Sequence, residues 1–185
     1  MTRYSRQISL PEIGEGGQEK LHKARVLIVG AGGLGSPAAL YLAGAGVGTI
    51  GLADDDTVGI SNLQRQILYT ENEVGQLKVH CAAQRLRALN GNIEVHAYPF
   101  RLNRENARRL IADYDIVVDG CDNFSTRYLI SDSCSALHKP YVYGAIQGFE
   151  GQVSVFCYGD RPKTYRDLSV SYTHLRAHET SAHLV

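Results

Sequence analysis

Arg25-Val-Leu-Ile-Val-Gly30-Ala-Gly32-Gly33-Leu-Gly35 begins as a short β-branched apolar run and ends in a glycine-rich loop. A continuous apolar run of this length, bounded by glycine, reads as a parallel strand buried on both faces. An Ala/Leu-rich helix is expected from about residue 36 to 45. The order strand, glycine loop, helix is that of a dinucleotide fingerprint. Glycines let backbone N–H groups approach a phosphate, and a helix N-terminus adds partial positive charge. Gly30, Gly32, Gly33 and Gly35 are therefore candidate phosphate-loop residues. The same glycines also suit a plain tight turn. A second strand over 49–53 ends at Asp54, 21 residues after Gly33, where a carboxylate can accept from ribose hydroxyls. This pattern points to an adenine nucleotide and leaves NAD and ATP both open.

Working outward, a helix is expected over 75–89, strands over 93–98 and 116–119, and helices over 104–112 and 123–137. A strand follows over 141–146. Residues 151–158, GQVSVFCY, alternate with period two and read as a half-exposed antiparallel strand. Gly14-Glu-Gly-Gly17 reads as a breaker before the helix that leads into the first strand. Strands alternating with helices predict a Rossmann-like, doubly wound α/β sheet, mostly parallel, with an antiparallel strand added near the C-terminus.

Two further stretches separate ATP from NAD. Asp56-Thr-Val-Gly-Ile-Ser61-Asn62-Leu-Gln-Arg65-Gln66 precedes Gly75-Gln-Leu-Lys78. Hydride transfer has no use for extra cations, whereas nucleotidyl transfer needs them around a triphosphate. Arg65 can fork onto phosphate oxygens, Lys78 can act as a point charge, and Asn62 is a neutral donor for an α-phosphate. Taken singly, either cation reads equally as a solvated surface residue. Asp119-Gly-Cys-Asp122-Asn123 follows the fourth strand. Asp122 stands where a carboxylate holds Mg²⁺ or a ligand, or simply caps the next helix.

The chain has 185 residues, the length of one domain, with 44% hydrophobic and 21% charged residues. Nineteen Lys plus Arg balance nineteen Asp plus Glu. Zero net charge argues against a general nucleic-acid or membrane-surface binder. No run reaches the ~18 apolar residues of a membrane span, and the N-terminus lacks a signal-peptide core. Cys81, Cys121, Cys134 and Cys157 form no CxxC pair and read as reduced thiols of a cytoplasmic protein. Cys121 reads as a packing residue. His174, His178 and His183, three of the seven histidines, fall in the last twelve residues.

GAGGLGSPAALYLAGAGVG, DDDTVGISNLQRQILYTENEVGQLKV and DIVVDGCDNFSTRYLIS resemble the ThiF/MoeB/HesA adenylyltransferases, relatives of the ubiquitin-activating enzymes. RYSRQISLPEIGEGGQEKL resembles the family's N-terminus. The resemblance spans residues 3–168 and implies an adenylating domain over 1–168. Such enzymes use MgATP to adenylate the C-terminal glycine of a ubiquitin-fold sulfur carrier ending in Gly-Gly, releasing pyrophosphate. The resemblance implies Gly33, Asp54, Asn62, Arg65, Lys78, Asp122 and Asn123 as the ATP site, with Asp122 serving Mg²⁺. The candidate nucleotide-binding set also takes in Gly30, Gly32, Gly35, Asp56 and Ser61. Arg6 matches an arginine that reaches the partner subunit's site, so a homodimer is implied.

The sequence departs from that pattern in two places. Many members carry zinc-binding CxxC pairs, but here Tyr165-Arg166-Asp167 stands where those members have a cysteine, so no zinc site is expected. None of the four cysteines matches a sulfur-transfer position. The family runs ~80 or more residues further, as a domain of 200-plus would. The chain therefore reads as C-terminally truncated. Residues 169–185, SVSYTHLRAHETSAHLV, resemble translated sequencing-adaptor read-through and read as a non-native or disordered tail. Two other readings remain. One is an NAD(P)-binding oxidoreductase. The other is a nucleotide-binding fragment without turnover, whose signature would be an exposed apolar edge after the 151–158 strand.

Overall fold

The computed structural model describes residues 3–168, and the expected tail over 169–185 lies outside them. Short helix α1 (Ser5–Ile8) and α2 (Gly14–Lys23) lead into β1 (Arg25–Val29), α3 (Gly35–Ala45) and β2 (Thr49–Ala53). Then come α4 (Lys78–Leu89), β3 (Glu94–Tyr98), α5 (Ala107–Ala112), β4 (Ile116–Asp119), α6 (Phe124–Leu137), β5 (Tyr141–Gln147) and β6 (Glu150–Phe156). The six strands lie in the order β3-β2-β1-β4-β5-β6, all parallel except β6, which pairs antiparallel with β5. This is the expected α/β architecture.

β1 shows why the sheet is covered on both faces. Val26 and Ile28 enter one core with Ala39 and Ala43 of α3 and Val79 and Ala82 of α4. Leu27 and Val29 enter the other, with Leu110 and Ile111 of α5 and Ile130 and Cys134 of α6. Alternate side chains of a strand point to opposite faces, so both faces must be apolar. Gly51 in β2 is dictated by packing: a Cβ there would lie 2.4 Å from the Tyr114 hydroxyl.

Four expectations change by more than a single residue. The 14–17 glycines open α2 instead of breaking the chain; Gly17 packs so tightly that a Cβ would meet Ile13 at 2.9 Å. α4 starts at Lys78, because Leu77 is held in an antiparallel bridge to Thr57 and Gly75 has φ 86°. Residues 104–106 form a turn ahead of α5. β6 ends at Phe156, because Cys157 adopts φ 56°.

β6 is an edge strand with a bare apolar face. Val153 is 88% exposed, and Val155, Ile146 and Phe149 are exposed with it. On the other face Tyr143 and Phe156 are in ring contact with each other and with both Tyr141 and Tyr165. Tyr165, in a helical turn over 165–168, is buried, and its N–H donates to the Ser131 hydroxyl of α6. Arg166 forks onto Asp132 at 2.9 and 2.7 Å. The aromatic cluster and this ion pair fasten the segment over 165–168 to β5, β6 and α6. No helix among the described residues is long and apolar enough to cross a membrane.

Candidate active site

The strand order reverses between β1 and β4, the place where an open α/β sheet leaves a crevice at its carboxyl ends. A cavity of about 1280 Å³ lies there, lined by Gly30, Gly32, Gly33, Asp54, Asp56 and Asn62. Arg65, Lys78, Asp122 and Asn123 line it too, so ten of the expected residues meet at one cavity. Gly35, Ser61 and Arg6 do not line it. Gly35 is buried behind the loop, and Ser61 and Arg6 are exposed.

The glycine loop is shaped before any ligand arrives. The Ala31 N–H donates to Asp54 Oδ2 at 2.7 Å, and the Ala31 carbonyl accepts from Tyr69 at 2.8 Å and Ser36 at 3.1 Å. Asp54 Oδ1 accepts from the Asp56 N–H at 2.8 Å. Asp54 therefore buttresses the loop as well as standing where a ribose acceptor is wanted. Among the described residues the N–H groups of Gly32 and Gly33 donate to no protein acceptor. Free backbone donors at the N-terminal end of α3 suit an anion such as phosphate.

Lys78 is brought in by a small antiparallel pairing. Val58 N–H donates to Gln76, Gly75 N–H to Val58, and Lys78 N–H to Asp56. This sets the Lys78 side chain beside Asp56, with Nζ 2.9 Å from Oδ2. Lys78 is only 4% exposed, so the reading of a solvated helix face does not hold. A buried ammonium of this kind needs its anion, and one such contact leaves two N–H donors on Nζ. Arg65 lies over Gly33, its Cδ 3.5 Å from where a Cβ would stand, and donates to the Ser61 carbonyl at 3.2 Å. Asn62 lines the cavity while its Oδ1 accepts from the Gly59 N–H.

The fourth-strand loop settles which residue caps α6. Asn123 is the cap, its side chain accepting from the Thr126 N–H at 2.9 Å. Asp122 is exposed on the cavity wall with no hydrogen bond or ion pair among the described residues. A free carboxylate beside a phosphate loop suits Mg²⁺, which binds through one or two carboxylates and phosphate oxygens. Asn123→Ala is expected to cost about 1 kcal/mol of stability, the usual loss of an N-cap. A urea melt of the variant measures it.

Sequence reading passed over a buried network under this loop. Asp119 accepts from the Cys121 N–H at 2.9 Å and from the Tyr141 hydroxyl at 2.6 Å, and Arg127 Nε lies 3.6 Å away. Burial pushes the Asp119 carboxyl above its ordinary range, and pushes the Cys121 thiol up as well, which suits a packing cysteine rather than a nucleophile. Gln66 is buried on the cavity wall, and its Oε1 has no hydrogen-bond partner among the described residues. Asp54, Asp55 and Asp56 have carboxylate oxygens within 4.8 Å of one another.

A family model described as the ThiF family matches residues 4–181. A probable molybdopterin-synthase adenylyltransferase of Porphyra purpurea is 52% identical over 166 residues, 90% of this chain and 43% of that protein. A sulfur carrier protein adenylyltransferase of Thermus thermophilus is 50% identical over 172 residues, 91% of this chain and 64% of that protein. The chain thus spans about two-fifths to two-thirds of the length of these relatives. Among solved structures, E. coli MccB with MccA-N7isoASN superposes with a TM-score of 0.79 at 27% identity, covering 89% of this chain and 50% of that one. PaaA superposes with a TM-score of 0.78 at 27% identity, covering 89% and 53%.

Proposed function

This chain belongs to the ThiF family, and from that membership we propose that it is an adenylyltransferase activating the C-terminal glycine carboxylate of a ubiquitin-fold sulfur carrier. The observation that carries this reading is one cavity lined by the glycine loop, by Arg65 and Lys78, and by the Asp122 carboxylate. The 50–52% identity to relatives named adenylyltransferases supports it.

A carboxylate oxygen attacks the α-phosphorus of ATP, the bond to the β-phosphate oxygen breaks, and pyrophosphate leaves with that electron pair. No general base is required, since the attacking carboxylate is already ionised at neutral pH. The barrier comes from bringing two anions together, and cations on the phosphates lower it. Arg65 forks onto phosphate oxygens, and Lys78 donates with the N–H groups that Asp56 leaves over. Gly32 and Gly33 supply backbone donors, Asn62 orients the α-phosphate, and Asp54 accepts from ribose. Mg²⁺, when bound at Asp122, supplies further neutralisation of the phosphates. Arg6, exposed on α1 and away from its own cavity, serves the site of a partner subunit in a homodimer. The setting is cytoplasmic.

The NAD(P) oxidoreductase reading is not favoured, because it leaves Arg65, Lys78 and Asp122 without a role. A nucleotide-binding chain without turnover is the second reading, and the bare apolar face of β6 favours it. ATP–pyrophosphate exchange with carriers ending in Gly-Gly tests the proposal, run on this chain and on one extended by its genomic continuation. Carrier-dependent exchange in both supports turnover by this chain, and exchange in the extended chain alone supports the second reading. Exchange in neither overturns the adenylyltransferase proposal.

A further inference from the structure

Asp122 sits between two fixed points. On one side, Cys121 has its N–H held by Asp119 and its carbonyl held by Arg127 Nη2 at 3.0 Å. On the other, Asn123 is pinned as the cap of α6. Behind them, Gly120 donates to the Val29 carbonyl at 2.7 Å, and a Cβ on Gly120 would lie 2.5 Å from the Gly30 carbonyl oxygen. The loop that carries Asp122 is thus fused backbone to backbone with the loop that cradles phosphate.

Arg127 is an expensive way to hold one carbonyl. It is buried on α6, its guanidinium lies 5.4 Å from the Tyr143 ring centroid and 5.7 Å from that of Phe124, and its buried Nε has no hydrogen-bond partner among the described residues. Asp119, equally buried, is kept in place by Tyr141. A buried ion pair is weak evidence of a stability role, since desolvation offsets much of the attraction. A planar guanidinium stacks on aromatic rings and spreads its charge and donors over three nitrogens, which a lysine ammonium does not.

We propose that Arg127, Asp119 and Tyr141 are positioning residues: they clamp the Cys121 peptide so that the Asp122 carboxylate is presented to a metal on the nucleotide phosphates. This rests on the reading of Asp122 as the metal carboxylate. Supporting residues of this kind cost about 10–100-fold in metal affinity when removed.

The test is calorimetric binding of ATP to the full chain, once with Mn²⁺ and once with excess EDTA, on wild type, Arg127→Lys and Tyr141→Phe. Arg127→Lys is expected to reduce the metal-dependent gain in ATP affinity about 10-fold, with metal-free affinity changed less than about 3-fold. Tyr141→Phe, which removes one hydroxyl, is expected to lose part of the same gain. It carries the test if the lysine variant does not fold. Folded variants that keep the whole wild-type gain overturn the clamp. So does a variant whose metal-dependent gain is intact but whose apparent KM for the carrier rises, since Arg127 would then touch the acceptor directly. A wild-type chain that binds ATP with no metal-dependent gain overturns the Asp122 reading itself.

Discussion

Asp122→Ala is expected to lower carrier-dependent ATP–pyrophosphate exchange by at least ~100-fold while leaving the thermal melt where it is. The two halves of this expectation have different origins. Removing one preorganised donor that stabilises transition-state charge, as in an oxyanion hole, typically costs 10²–10³ in rate, about 2.7–4 kcal/mol, and a metal carboxylate is expected to matter on that scale. Stability should hold, because Asp122 is exposed, caps nothing and makes no ion pair among the described residues. The neighbouring Asn123→Ala is the mirror image, with a loss of stability from the missing cap. Exchange at the wild-type level in Asp122→Ala would sink the assignment, and a large fall in melting temperature would make it a structural residue instead.

Gly35→Ala is expected to be strongly destabilising and to break the glycine loop. A Cβ on Gly35 would stand 1.9 Å from the Gly30 carbonyl oxygen, and the carbonyl carbon is only 2.9 Å away. Both atoms are backbone, so the loop itself must move. Gly30 cannot yield easily, because it has φ 88° and a close approach to Gly120 of its own. Overpacking typically costs 1–3 kcal/mol, and backbone contacts put this case at the upper end. Equilibrium urea melts measure the stability, and fluorescent-ATP titration is expected to show binding lost. Gly44→Ala, in the same helix, is the control with opposite sign. Nothing lies within 4 Å of its Cβ, so it is expected to stabilise by roughly 0.5–1 kcal/mol. Equal effects at the two positions would show that helix propensity, not loop packing, governs α3.

The contrast between those glycines shows how far pattern reading reaches. Gly35 was legible as special through its spacing from Gly30, but as a phosphate binder; the structure makes it the contact that lets α3 close on β1. The same limit appears in α4. Apolar spacing over 75–89 fits a helix throughout, yet Leu77 satisfies its burial in a bridge to Thr57, and periodicity has no means of telling the two apart. Arg65, Lys78, Asp54 and Asp122 were legible as candidates because each charged residue sits just past a predicted strand or in a motif between strands. Their isolated readings changed with folding. Lys78 turned from a surface residue into a buried ammonium paired with Asp56.

What the sequence determined by itself is the sheet and its open end. A β-branched run, a glycine loop and an Ala/Leu helix leave the backbone few alternatives, because each preference is local and all of them agree. What only the tertiary structure decided is the support beneath the site. Asp119 ends one strand, Arg127 lies a turn into the next helix, and Tyr141 begins the following strand. Each alone is an ordinary residue of its element. They become a clamp only when β5 lies beside β4 and α6 packs across them, shutting out the water that would otherwise solvate a carboxylate and a guanidinium.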